Sequence, residues 1–155
     1  MTKKLLLDAA ILLGLAGVGI VGYQLAPQLN PKTDIALPLS NCDLGRESCV
    51  VMLPDGSQLE FSIEPRPIPA LKELRMLAVL RGSTARKIEV DFAGTTMKMG
   101  YNRPTLQRQA GRGDRFAGQA SLPVCLTGTM EWDATVLLDT GNAVIAAPFR
   151  FVTGR

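Results

Sequence analysis

The sequence predicts an all-β chain: an immunoglobulin-like antiparallel β-sandwich of about seven strands behind one N-terminal transmembrane helix. Three observations lead there. Short stretches alternate apolar and polar residues with period two and are separated by Gly, Pro, Asp and Asn turns. A run of about twenty predominantly apolar residues stands at the start, the length of one bilayer crossing. The chain holds three cysteines and no histidine, a composition suited to an exported domain stapled by a disulfide.

The N-terminal run comes after Lys3 and Lys4 and covers residues 5–26. Its one acidic residue, Asp8, lies near the lysine end, where a carboxylate reaches the headgroups. Tyr23 suits the opposite interface, and the two lysines favour a cytoplasmic N-terminus. A cleaved signal peptide is the competing reading. It calls for a shorter apolar core and a small-x-small cleavage site, and Gln24-Leu25-Ala26-Pro27 serves that poorly. Either reading exports the remainder of the chain. The expectation is therefore an anchor (or signal peptide) over 1–26, contacting the lipid of the inner (plasma) membrane through residues 5–26. The C-terminal domain then lies in the periplasm or an equivalent extracytoplasmic space. Ala10 and Gly14 have small-xxx-small spacing, which can seat a partner helix. Pro27, Pro31 and Pro38 mark 27–38 as an extended tether, leaving 39–155 as the exported domain.

Residues 49–53 form a strand candidate ended by Pro54-Asp55-Gly56, a turn signal with a mechanism in Pro's fixed φ and Gly's tolerance of positive φ. Residues 58–64 alternate polar and apolar and complete a hairpin. Prolines at 65, 67 and 69 block ladder pairing, so that stretch is an extended crossover or edge. Leu71, Leu74 and Leu77 have helical spacing, yet the flanking strands favour strand over 73–80. Residues 87–92 bury Ile88, Val90 and Phe92. Residues 102–114, rich in Gly, Arg and Gln, read as a mobile loop. Strands come next over 115–122 and over 131–138, the second with Trp132, Ala134, Val136 and Leu138 on one face. After the turn at 139–142, residues 143–152 put Ile145, Ala147, Phe149 and Phe151 on one side.

Composition removes several function classes. Without histidine there is no histidine-dependent triad, no zinc–histidine site and no haem–histidine ligation. The net charge is +3, with basic and acidic residues interspersed along the chain and no stripe of the kind that binds nucleic acid. Glu89 and Asp91 read as lying on opposite faces of their strand, and Glu131 and Asp133 as solvated, so neither makes an acid/base pair. Ser and Thr have no visible base, and Cys42 and Cys49 are too far apart for a CxxC redox motif. The chain is expected not to be an enzyme. Three cysteines allow three pairings. Cys42 and Cys49 bracket a short polar loop and are the disulfide candidate, which leaves Cys125 as the odd thiol.

The remaining signal is sulfur. Met97 and Met99 stand two residues apart, so in a strand they share a face, and Met130 and Trp132 do the same. Thioethers are soft ligands that favour Cu(I), and a thiolate adds to that preference. Met97, Met99 and Met130 are the candidate ligands and Cys125 the candidate fourth. Trp132 is the candidate cover for a bound cation. The competing reading is that these methionines fill an irregular core and that Trp132 is an ordinary core tryptophan.

Met97-x-Met99-Gly100, then Arg115-Phe116-x-Gly118-x-Ala120-x-Leu122-Pro123, Gly128-x-Met130-x-Trp132-x-Ala134-x-Val136 and Phe149-x-Phe151, resembles the FixH/YtkA-like family over roughly residues 70 to 153. Those are membrane-anchored immunoglobulin-like domains linked to cytochrome oxidase assembly and copper handling. The resemblance implies a copper accessory or chaperone whose partner is a respiratory oxidase subunit or a copper chaperone. This sequence departs from the family pattern in having no histidine, in carrying Lys98 between its methionines and in placing Cys125 near a position where another Met is expected. The alternative is a structural or interaction sandwich without metal that binds a membrane protein.

Overall fold

The computed structural model describes residues 11–21, 23, 33–96, 100–123 and 129–153. The chain divides into two units, Met1–Lys32 and Thr33–Arg155. In the first, residues 11–21 and 23 are helical and their side chains are exposed throughout. Among the described residues no helix is long and apolar enough to cross a membrane. The rest of the candidate span, 5–10, 22 and 24–26, lies outside them.

The second unit is all β. Its strands are β1 (Ile35–Ala36), β2 (Cys49–Met52), β3 (Gln58–Glu64), β4 (Glu73–Arg81), β5 (Lys87–Gly94), β6 (Thr105–Gln109), β7 (Arg112–Ser121), β8 (Met130–Asp139) and β9 (Val144–Thr153). They form one sheet in the order β1-β9-β8-β5-β6-β7-β4-β3-β2. All neighbours are antiparallel except β1 and β9, which are parallel.

The sheet curls so that its apolar face meets itself. Phe61 on β3 and Phe149 on β9 are far apart in strand order, yet their ring centroids are 5.6 Å apart. Strict alternation explains which side chains turn inward. Leu59, Phe61 and Ile63, Ile88, Val90 and Phe92, and Trp132, Ala134, Val136 and Leu138 are all buried, as period two requires of a half-buried strand. The inward set of β9 (Ile145, Ala147, Phe149 and Phe151) is buried as the sequence indicates.

The corner of the curl is β6. Its Thr105 and Leu106 pair with Glu89 and Ile88 of β5, while Gln107 and Arg108 pair with Ala117 and Phe116 of β7. For β6 to pass so close, β7 carries Gly118. A Cβ there would stand 2.7 Å from Leu106 Cδ2 and 3.3 Å from the Thr105 carbonyl oxygen, closer than packed atoms tolerate.

Several expectations are corrected. The stretch 102–114, read as a mobile loop, contains β6 and the start of β7, joined at Gly111 with φ +72°. Only Leu106 among residues 105–109 points inward, too thin an alternation to read. The tether expected over 27–38 includes residues that belong to the sheet. The Asp34 N–H donates to the Val144 carbonyl, and Leu37, Ser40 and Leu44 donate in turn to Ala146, Pro148 and Arg150. The lead-in thus runs along β9 for most of that strand. The helical spacing of Leu71, Leu74 and Leu77 has no structural counterpart: Leu74 is in the core of β4, Leu77 is on its other face, and Leu71 is 70% exposed. Among the described residues the strands number nine against the seven expected; β1 and β6 are the additions.

Cys42 and Cys49 form a disulfide with Cα atoms 5.7 Å apart. It staples the loop between the lead-in and β2, and Cys49 itself is buried.

This packing generates two expected outcomes. Gly118→Val should lower stability by about 1–3 kcal/mol through overpacking, read as a lower urea midpoint at unchanged slope. Replacing both Cys42 and Cys49 by Ser should cost about 2–3 kcal/mol, the loop-closure value for so short a ring, read in the same assay.

Candidate functional site

The strands that frame the sulfur residues are β5 and β8, which pair from Lys87↔Asp139 to Gly94↔Trp132. Their ladder ends where β5 stops and β8 begins. Beyond Gly94, Thr95 extends it: its backbone N–H and its hydroxyl both donate to the Glu131 carbonyl, at 3.2 and 3.3 Å. On the other side of β8, the Thr153 hydroxyl donates to the Met130 carbonyl at 3.2 Å. Thr96 is the last described residue before Met97 and Met99, and Thr129 the first after Cys125.

The returning flanks are held at this same end. After Gly100, the Asn102 carbonyl accepts from the Phe92 N–H at 3.0 Å, and the Asn102 side-chain amide donates to the Ser121 carbonyl at 3.0 Å. Leu122, which leads toward residues 124–128, accepts from the Leu71 N–H at 3.0 Å. Both segments therefore leave and rejoin the sheet at its Trp132 end. Met97, Met99 and Cys125 themselves lie outside the described residues.

Met130 and Trp132 are described, and both face the core. Met130 is 5% exposed and Trp132 is 1% exposed. Trp132 pairs across the ladder with Phe151 and Gly94, so its indole packs beneath this end of the domain rather than over its outside. Its Nε1 is buried and meets no acceptor among the described residues, and an unpaired buried donor is costly. Trp132 thus belongs to the core and does not lie over the outside of this end. Among the described residues no group of three Cys, Asp or Glu side chains converges.

The outer face of these strands is charged and internally matched. Glu89 and Asp91, read as lying on opposite faces, share one, as residues two apart in a strand must. Glu89 lies 2.9 Å from Lys87 and Asp91 lies 3.2 Å from Arg103. Burial of the Arg103 guanidinium works against its charge, but the hydrogen bond and attraction of Asp91 outweigh this and hold its pKa above the usual arginine value. Arg103 also sits over the Tyr101 ring at 5.1 Å, and Tyr101 is 77% exposed. Arg150 grips Asp133 with two bonds of 2.7 and 3.0 Å and reaches Glu131 at 3.4 Å. The hydrogen bond to Asp133 raises the Arg150 pKa. Each of these four carboxylates therefore faces a cation.

Counting outward from the turn at 140–143 pairs Asp133 with Arg150, as the register does. Comparison with protein-family models, with curated proteins and with solved structures finds no match to this chain.

Met130 separates packing from ligation. Met130→Ala should cost about 2–5 kcal/mol as a buried truncation, whereas the volume-conserving Met130→Leu should cost less than about 1.5 kcal/mol. Chemical denaturation without metal, followed through Trp132 emission, reads both.

Proposed function

We propose that the chain is a membrane-anchored, extracytoplasmic Cu(I)-binding accessory. Its exported domain reads as an immunoglobulin-like sandwich, and residues 5–26 as the transmembrane anchor. Met97, Met99 and Met130 supply thioether ligands, with Cys125 as the fourth ligand and Trp132 closing the inner side. The observation that carries this reading is the meeting of both sulfur-bearing segments' flanks at one end of the β5–β8 ladder. Thioethers and a thiolate with no imidazole form a soft donor set that favours Cu(I) over Cu(II). The Cys42–Cys49 disulfide supports export, because such bonds persist in oxidising compartments. The uniformly exposed apolar side chains of residues 11–21 support a helix whose surroundings are lipid. By resemblance to FixH/YtkA-like domains, the partner is a respiratory oxidase under assembly or a copper chaperone. Anchoring raises the effective concentration at such a partner without new contacts. Non-enzymatic delivery or guarding of the metal is the activity this reading assigns.

A second reading, an interaction module without metal, is favoured by the burial of Met130, which fits a core side chain as well as a ligand.

Anaerobic titration of the full chain with Cu(I) against a competing chelator decides between them. The metal reading expects one tight equivalent. It expects at least a tenfold loss of affinity in Met97→Leu/Met99→Leu and in Met130→Leu, with the fold retained by circular dichroism. Equal affinities in wild type and variants remove the copper site and leave the interaction module.

A further inference from the structure

The β5–β8–β9 ladder has two ends, one of them at Trp132. The lead-in joins at the end opposite Trp132, where Asp34 exchanges hydrogen bonds with Val144, through its N–H and through its carboxylate. Val144 pairs with Asp139, and Asp139 with Lys87. The β4–β5 connection and the β6–β7 hairpin close the same end, since Arg108 Nη2 donates to the Ala85 carbonyl.

Here the fold gathers arginines that the sequence disperses. Arg86, Arg112 and Arg115 have no carboxylate within ion-pair distance among the described residues. Of the acids at this end, Asp34 accepts from the Val144 N–H, Asp55 from Ser57 and Asp139 from Gly141, while Asp114 stands exposed between Arg112 and Arg115 without an ion pair among the described residues. Arg86 is laid across the turn at Gly141, where a Cβ would stand 2.6 Å from its Nε. Ion pairs occur at both ends: Arg81 with Glu60 and Lys87 with Glu89 here, and Arg46, Arg66, Arg103 and Arg150 with their acids at the other, where Arg75 has none among the described residues.

We propose that this arginine-bearing end lies against the bilayer and binds anionic phospholipid headgroups, with Arg86, Arg112 and Arg115 as the contacts. The inference rests on the anchored reading above. Residues 24–32 can extend at most about 32 Å, so on the anchored reading the end carrying Thr33 stays within that reach of the membrane. The ten-residue β8 holds the Trp132 end about 33 Å further along the strand. Guanidinium groups pair with phosphate through paired N–H donors, and unpartnered cations within a Debye length of an anionic leaflet are attracted to it.

The test is hydrogen exchange of the full chain in nanodiscs of phosphatidylcholine, with and without phosphatidylglycerol. Residues 82–87 and 109–115 should gain protection only with the anionic lipid, and lose it at high salt. The triple variant Arg86→Glu/Arg112→Glu/Arg115→Glu should lower the docked-to-undocked ratio roughly a hundredfold, at about fivefold per arginine. Residues 42–49 should not respond. If the chain enters the nanodiscs but the two lipids give identical exchange, the headgroup contact is wrong and the anchor stands. If the chain does not stay with the bilayer at all, the anchored reading falls and takes this proposal with it. Should the variant misfold, the salt series on the wild-type chain decides the same question.

Discussion

The domain depends on one strand serving two halves of a sheet. β6 is bonded to β5 through its first residues and to β7 through its next, so the sheet turns a corner there without leaving a row of unpaired backbone groups inside. Burying such groups unpaired is costly, and a shared strand avoids it. The turn requires β7 to receive β6 at close range, and Gly118 supplies the space. With the corner made, Phe61 and Phe149 meet, and the apolar faces of β2 to β9 enclose one core. Hydrophobic burial of this kind is the dominant favourable contribution to a fold, but here it is available only after the sheet has curled.

The strands that alternate strongly were legible in the sequence. Residues 58–64, 87–92, 131–138 and 143–152 carry three or four inward apolar side chains each, and burial follows them residue by residue. What escaped was structure held by hydrogen bonds alone. β1 has two residues, both exposed, and β6 has one inward apolar side chain; backbone pairing with β9, β5 and β7 defines them, and pairing leaves no periodic trace. The same holds for charge. Arg150 and Asp133 are 17 residues apart in sequence and become a clamp only through register. Of the candidate site, Trp132 and Met130 could be placed on one face by parity, and the disulfide by loop length. The convergence of the flanks at Asn102, Ser121 and Thr95 depends on tertiary contacts that parity does not encode.

Charge is sorted by the fold rather than by the sequence. On the outer face of β5, β8 and β9, carboxylates are matched to cations along and across the ladder. At the end opposite Trp132, Asp34, Asp55 and Asp139 accept backbone N–H groups, and Arg86, Arg112 and Arg115 carry no ion pair among the described residues.

The lead-in along β9 has a mechanical consequence. It runs parallel to that strand, and its N–H groups donate to Val144, Ala146, Pro148 and Arg150 in succession. Tension between Thr33 and Thr153 acts along the strands, so it loads these bonds together in shear instead of peeling them one at a time. A pull transmitted through the N-terminal segment is thus shared along nearly the whole length of β9.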